Sequence, residues 1–468
     1  MGKILGRFIL PHPPILIPQI GGEEARKGQG TLDSFAAIGK KIAELKPQNI
    51  IIISPHAPMF NDKFYINTNS RISGDMSQFK HKEILLGFNN NTGLIDLITH
   101  AAKNLDIKAG AVSENLLRRY GLSYDLDHGI IVPMYFISHF YTDFNLIPVS
   151  LTSRSPKEHY LMGEAIAQGV LASDEDAVII ASGDLSHKLK EDGPYGFAEE
   201  GPIFDELLIS LLKENNIEGL LSIDSKLEEK AAQCGLYSFY ILLGTLKGYN
   251  MAAKVHSYEK PFGVGYLTAT IDQGATTENK PLASYLSKRE ASLKEMQSVE
   301  SPPLALARAA LSYYLDTGKE MTIPENFPEE WISNQGGTFV SFKKDNNLRG
   351  CVGTISATQP NLAEEIINNA ISAGTKDYRF SPITPGEVAE LTVSVDVLGD
   401  IENIESEDDL DPLNYGVIVT SGSKRGLLLP NLEGVDSVEQ QIRIAKEKAG
   451  IPFFKKVNLQ RFKVVRYE

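Results

Sequence analysis

The sequence predicts an α/β N-terminal domain, with a largely parallel or mixed central sheet and flanking helices, followed by an α+β C-terminal domain. Three observations carry this. First, short wholly apolar runs rich in β-branched residues, IIII at 50–53 and AVIIA at 177–181, read as strands buried on both faces. Second, these runs alternate with helically spaced segments in the βαβ order of a parallel sheet. Third, the last third of the chain changes to period-two strands and a probable hairpin, after a polar stretch at 273–300 rich in Thr, Asn, Ser, Lys and Glu. The expected division is a metal-binding domain at 1–272, a linker at 273–300 and a second domain at 301–468.

The first strand is the run at 4–10, which bears Arg7 and ends in the rigid loop Pro11-His12-Pro13-Pro14. Leu32, Phe35, Ile38, Ile42 and Leu45 then recur at helical spacing. They lead to the strand at 50–53, which Ser54 and Pro55 end just before His56. Residues 61–92 are polar and read as strands and excursions at the periphery. A helix at 93–104, the YDLDHG loop at 124–129, an apolar segment at 130–136 and a strand at 145–151 follow. A helix at 155–172 has Pro156 suited to its first turn. The strand at 177–181 ends in SGDLSH, a second histidine loop at a strand's carboxyl end. Helices are expected at 199–214 and 226–246, with Cys234-Gly235 within or just before the latter. A strand at 263–271 closes the domain. In the second domain, helices are expected at 304–315, 362–373 and 438–449. Strands flank a turn at 344–347 and recur at 391–398, 416–420, 426–429 and 462–467.

The chain has 468 residues and a net charge of -14. That balance excludes a sequence-independent nucleic-acid binder and disfavours an anionic membrane surface. No apolar run reaches the ~18 residues of a bilayer span, and the N-terminus does not read as a signal peptide. Cys234 and Cys351 are the only cysteines, too few for a disulfide framework. A cytoplasmic protein with two thiols is expected.

Nine histidines are present. His81, His100, His139, His159 and His256 fall on amphipathic or peripheral stretches and read as structural. His12, His56, His128 and His187 lie in Pro-, Gly- or Asp-containing loops beside apolar strands. In an open α/β sheet the carboxyl edge is where ligands bind, so these four loops are expected to converge. Each alone reads more readily as a hydrogen-bonded structural residue than as a ligand. Together, neutral imidazoles suit a divalent transition metal, with spare histidines serving as acid and base.

The succession PHPP at His12, SPHAP at His56, LDHG at His128 and SGDLSH at His187 resembles the LigB-type, or class III, extradiol ring-cleaving dioxygenases. It resembles their Memo-like relatives more closely still, over roughly residues 1–271. The resemblance implies a metal-dependent oxidoreductase acting on a catechol-like or heteroaromatic small molecule. It implies His12 and His56 as metal ligands, His187 as the acid/base that deprotonates the catechol, and His128 as a second active-site histidine. The family's carboxylate ligand falls here on Cys234, where the Memo-like proteins also place a cysteine. Fe(II) is the expected metal, with Zn(II) or copper as alternatives that a softer thiolate favours. Glu259 and Asp184 are the alternative third ligands, and a buried core thiol is the other reading of Cys234. Asp184 and Asp127 read either as carboxylates that orient the histidines or as turn residues.

In the second domain, NLRGCVGTI (347–355), KDYRFSPIT (376–384) and the stretch at 425–452 resemble the AMMECR family. Arg349, Cys351 and Arg379 are its polar candidates. Arg349 beside Cys351 reads as a possible thiol activator, or Cys351 simply packs inward. The order of the two modules is similar to fusions of the AmmeMemoRadiSam system, which implies a separate radical SAM protein as partner. The chain has no CxxxCxxC run and is not itself that enzyme. The other reading is therefore a metal-binding scaffold acting with such a partner.

Overall fold

The N-terminal sheet forms where β-branched runs are sealed on both faces. Six strands build it: β1 (Ile4–Leu10), β2 (Asn49–Ser54), β3 (Asn145–Ser150), β4 (Ala177–Ser182), β5 (Tyr249–Glu259) and β6 (Tyr266–Thr276). Their order is β3-β2-β4-β1-β6-β5. The first four are parallel, whereas β6 runs antiparallel to β1 and β5 antiparallel to β6. The sheet is thus mixed. The computed structural model describes residues 1–345, 347–432 and 434–468, and only the backbone of Glu114. The chain divides into two compact units, Met1–Lys288 and Arg289–Glu468.

Side chains of β2 alternate between two cores. Ile51 and Ile53 pack with Ile179, Tyr160, Ile166 and Tyr240 on one face. Ile50 and Ile52 pack with Ile180, Phe35, Ile38, Ile131 and Met134 on the other. All four isoleucines are fully buried, each contributing roughly 1.5–3 kcal/mol. The first face is covered by the helices Thr92–Asn104, Pro156–Ala172 and Leu236–Gly244, the second by Gln29–Leu45 and His128–Ile137. The strand register sets where the histidine loops emerge. Leu10 pairs with Ser182, and Ile53 with Ala181, so β1, β2 and β4 end level with one another.

The second unit is α+β. One antiparallel sheet joins Asn347–Gly353, Thr338–Lys344, Leu391–Leu398 and Val464–Tyr467. It packs on the helices Pro302–Thr317 and Leu362–Thr375. A second sheet joins Glu402–Ile404, Asn458–Phe462, Gly416–Ser421 and Lys424–Leu428, beside the helix Val438–Lys448. The turn expected at 344–347 includes Asn346, which lies outside the described residues, as does Glu433 within 425–452. Among the described residues, no helix is long and apolar enough to cross a membrane.

The segment expected to be helical over 226–246 is two helices, Ser225–Ala231 and Leu236–Gly244, with Cys234 and Gly235 just before the second. Ala232 adopts a left-handed conformation at φ 52°, which ends the first. The apolar segment after His128 is a helix that carries Pro133. Strand β5 was not anticipated. It is an edge strand whose exposed residues alternate with half-buried ones, so it lacks the apolar run that marks its neighbours.

Candidate metal centre

His12 leaves β1 between Pro11 and Pro13, whose fixed φ stiffens the loop. Its backbone N–H donates to Asp184 Oδ1 at 2.9 Å. Its ring Nδ1 lies 2.9 Å from Ser182 Oγ, and that hydroxyl lies 2.5 Å from the Gly129 carbonyl. A hydroxyl has one proton and a carbonyl only accepts. Ser182 therefore donates to Gly129 and accepts from His12 Nδ1–H. This assigns the tautomer and leaves a lone pair on His12 Nε2. That nitrogen sits 3.0 Å from His56 Nε2 and 3.6 Å from Cys234 Sγ.

His56 follows β2. Its N–H donates to Ser54 Oγ at 3.2 Å, and Ser54 donates to Asp127 Oδ1 at 2.6 Å. Asp127 thus acts on the His56 loop through Ser54 and does not touch the ring. His128 begins its helix with its ring stacked on His56, centroids 4.1 Å apart at 28°. Gly129 permits this approach, because a Cβ there would lie 2.4 Å from Ser54 Oγ. Gln78 Nε2 meets His128 Nδ1 at 3.2 Å. His187 places Nδ1 2.5 Å from the Ala232 carbonyl, so Nδ1 carries the proton and Nε2 a basic lone pair. Tyr195 lies edge-on to that ring, centroids 5.1 Å apart.

Cys234 occupies the break between the two helices of 225–244. The break closes on the SGDLSH loop: Cys234 N–H and Gly235 N–H donate to the Asp184 carbonyl at 3.3 and 3.0 Å, and Asp184 N–H points to Cys234 Sγ at 3.3 Å. Gly183 and Gly235 pass so closely that a Cβ on Gly183 would lie 2.1 Å from the Gly235 Cα. Asp184 therefore ties Cys234 to His12. Its own Oδ2 is 3.9 Å from His12 Nε2. Glu259 is different. Its carboxylate accepts from Gly30 N, Thr31 N and Thr31 Oγ1 at 3.1, 2.7 and 2.7 Å, at the first turn of the helix Gln29–Leu45. As a third ligand it is out of contention, because both oxygens are spent on that helix end.

The four histidines are poised neutral. Burial, then the charges of the other three histidines, pulls His12 well below its ordinary value. His56 is exposed as a residue, yet its ring falls to about 4 through burial and then His187. His128 falls to about 3 through burial and His56, and His187 falls through burial against its bond to Ala232. Burial pushes Asp184 up to about 7 and Asp127 to about 6, each opposed by hydrogen bonds. Burial and then Asp184 raise the Cys234 thiol well above the usual range. A crevice of neutral nitrogens suits a cation, which would draw the thiol to thiolate.

The spacing also fits a metal. Bonds of about 2.1 Å put adjacent nitrogens roughly 3.0–3.4 Å apart, and a thiolate roughly 3.6 Å from them, between octahedral and tetrahedral limits. His12, His56 and His128 form a group whose ligand atoms all lie within 4.8 Å of one another. Geometry thus brings His128 into the ligand cluster as well as Cys234, which meets it at His12. Ser182, Ser54, Gln78 and Tyr195 were not singled out from sequence. Ser182 and Ser54 carry a signal, since each ends a buried strand beside a histidine loop. Gln78 and Tyr195 come from peripheral segments that carry none.

The second unit's candidates form a different arrangement. Arg379 pairs with Asp377 at 2.9 and 2.7 Å and donates to the Cys351 carbonyl at 3.2 Å, while Cys351 N–H donates to Asp377 Oδ2 at 2.9 Å. Arg349 turns to Glu387, at 3.0 and 3.2 Å, and to the carbonyls of Ser381 and Pro382. The structure joins Cys351 with Arg379 through backbone groups, and gives the hydrogen bonds of Arg349 to the 381–387 segment.

Known proteins match this arrangement of domains. The family model described as the catalytic LigB subunit of aromatic ring-opening dioxygenase matches residues 6–269, and the AMMECR1 model matches 304–468. Protein CA_C1420 of Clostridium acetobutylicum is 40% identical over 464 residues, covering 99% of each chain. A Thermotoga maritima protein is 47% identical over 171 residues, which are 36% of this chain and 98% of its own. The crystal structure of uncharacterized protein PH0010 from Pyrococcus horikoshii covers 35% of this chain and 88% of its own, at 32% identity and a TM-score of 0.33. The LigB match takes in more than half of the chain, and by it the chain belongs to the LigB family, here carrying an AMMECR1-family domain behind it.

Proposed function

We propose that the N-terminal domain is a metal-dependent oxidoreductase of the extradiol type, acting on a catechol-like or heteroaromatic substrate. The observation that carries this reading is the cluster of His12, His56 and His128 at the sheet's carboxyl edge, their ligand atoms within 4.8 Å of one another, with Cys234 Sγ 3.6 Å from His12 Nε2. The LigB family is metal-dependent in general. His12, His56 and Cys234 would hold the metal, with His128 and Asp184 the nearest further donors. When bound, Fe(II) or copper would supply Lewis acidity and one-electron chemistry, whereas Zn(II) would supply Lewis acidity alone. His187 Nε2 accepts a proton from a substrate hydroxyl. The Ala232 carbonyl keeps that ring oriented and stabilises the imidazolium that results. His128, stacked on His56, is placed to hold a second proton near the substrate.

The test is metal analysis of anaerobically purified protein, followed by oxygen uptake with a panel of catechols and heteroaromatic diols. Stoichiometric iron with uptake on at least one diol supports the reading. A metal-free folded protein would sink it. A second reading rests on Cys234, a thiol at the family's carboxylate position. In it the domain binds a metal without consuming oxygen, and the AMMECR1-family domain docks a radical SAM protein. Bound metal, no uptake across the panel and co-purification of such a partner would favour that reading.

A further inference from the structure

Arg7 is the anomaly of β1. It lies mid-strand in an otherwise apolar run, and it is 3% exposed. Nε donates to Thr245 Oγ1 at 2.7 Å, and Nη2 to the Thr245 carbonyl at 3.1 Å and Gln273 Oε1 at 3.3 Å. All these partners are neutral. Among the described residues, no carboxylate lies within ion-pair distance of the guanidinium, and Nη1 has no acceptor. Thr245 caps the carboxyl end of the helix Leu236–Gly244, whose partial negative charge offsets only part of the cost of burying a guanidinium. Burial lowers Arg7 to about 10 even with Asp272 and Tyr249 opposing.

Arg7 also lines a cavity of about 740 Å³. That volume is in the range of small-molecule sites. The walls include Ile4, Val170 and Leu171, and Lys3 and Lys247 add positive charge. The cavity's one carboxylate is Glu164, itself buried and already bound to Lys247 and Gln168. The cavity therefore offers a buried cation with a free N–H edge, one further cation in Lys3, and an apolar wall.

We infer that this cavity binds a small amphipathic carboxylate, its head on the Arg7 guanidinium and its apolar tail against Val170 and Leu171. An Arg–carboxylate contact satisfies the free N–H edge and supplies the missing negative charge. The inference does not depend on the histidine cluster, since none of its residues lines this cavity.

The experiment is isothermal titration of the full-length chain with hexanoate, hexylamine and inorganic phosphate. Hexanoate is expected to bind in the millimolar range or tighter and hexylamine not at all. Binding of phosphate as tight as hexanoate would overturn the apolar part of the assignment. Arg7→Met is expected to abolish hexanoate binding. Should that variant fold poorly, Leu171→Asp decides, because Leu171 is 52% exposed and an added carboxylate there repels the ligand. A loss of at least about tenfold is expected. No hexanoate binding to the wild-type chain, or unchanged binding in Leu171→Asp, refutes the proposal.

Discussion

The histidine crevice of the first unit and the Cys351 cluster of the second both gather ionisable groups, but they handle charge in opposite ways. Beside Cys351 the arginines and carboxylates are paired. Asp377 pairs with Arg379, and Arg349 pairs with Glu387. Asp377 is held down at about 2, chiefly by its bond to Arg379. Around His12 nothing is closed. Neutral nitrogens face one another, and the nearest carboxyls are pushed upward. A closed network stabilises a fold. The His12 Nε2 lone pair meets His56 Nε2 at 3.0 Å, a contact that a single proton or a single metal ion can bridge. The difference is the reason the proposed chemistry is assigned to the first unit, although both units contain a cysteine.

That contrast can be broken or sharpened in order of expected effect. The largest concerns His187. His187→Ala should lower turnover about 10²–10⁴-fold while leaving metal content unchanged, as a proton-handling residue would. Loss of metal in this variant would place His187 among the ligands. Next comes Ser182, which assigns the His12 tautomer. Ser182→Ala should weaken metal affinity about 10–100-fold by competition with a chromophoric chelator, and Ser182→Thr should restore much of it. Unchanged affinity in Ser182→Ala would show that the tautomer is set elsewhere.

The second unit should respond in stability alone. Asp377 has its pKa depressed from 3.8 to about 2 in the folded state. Its contribution is therefore fully present above the ordinary carboxylate range and is lost as pH falls toward 2. Arg379 is 45% exposed, so solvent screening reduces the effect to about 1 kcal/mol. Trp331, the sole tryptophan, is buried in this unit and reports its unfolding. Asp377→Asn should flatten the acid-side loss of stability seen by tryptophan fluorescence. An undiminished slope would mean that other carboxylates carry it. The smallest effect is on Cys351: Cys351→Ser should leave metal content untouched, and a loss there would relocate the metal.

Much of the first unit was legible because burial on two faces writes itself as β-branched runs. Residues 50–53 and 177–181 announced β2 and β4, and the histidines at their carboxyl ends followed from parallel topology. What escaped notice depends on packing rather than local pattern. Edge strand β5 has no apolar run. The apolar segment after His128 suits a buried helix as well as a strand, and its content settles neither. The break at 232–235, which delivers Cys234 to His12, arises from the close passage of Gly183 against Gly235. Glu259 looked like a donor because glutamate carries no mark of which helix end it serves. Ser182 fixes a tautomer only through Gly129, a partner 53 residues away in sequence.

The central claim is that His12, His56 and Cys234 hold one metal. Its direct test is metal analysis of the anaerobically purified full-length chain beside His12→Ala, His56→Ala and Cys234→Ala. The account predicts one metal per chain in the wild type, none retained by either histidine variant, and a marked loss in Cys234→Ala. Full metal content in Cys234→Ala, with loss in His128→Ala instead, would contradict the thiol as third ligand and give that place to His128.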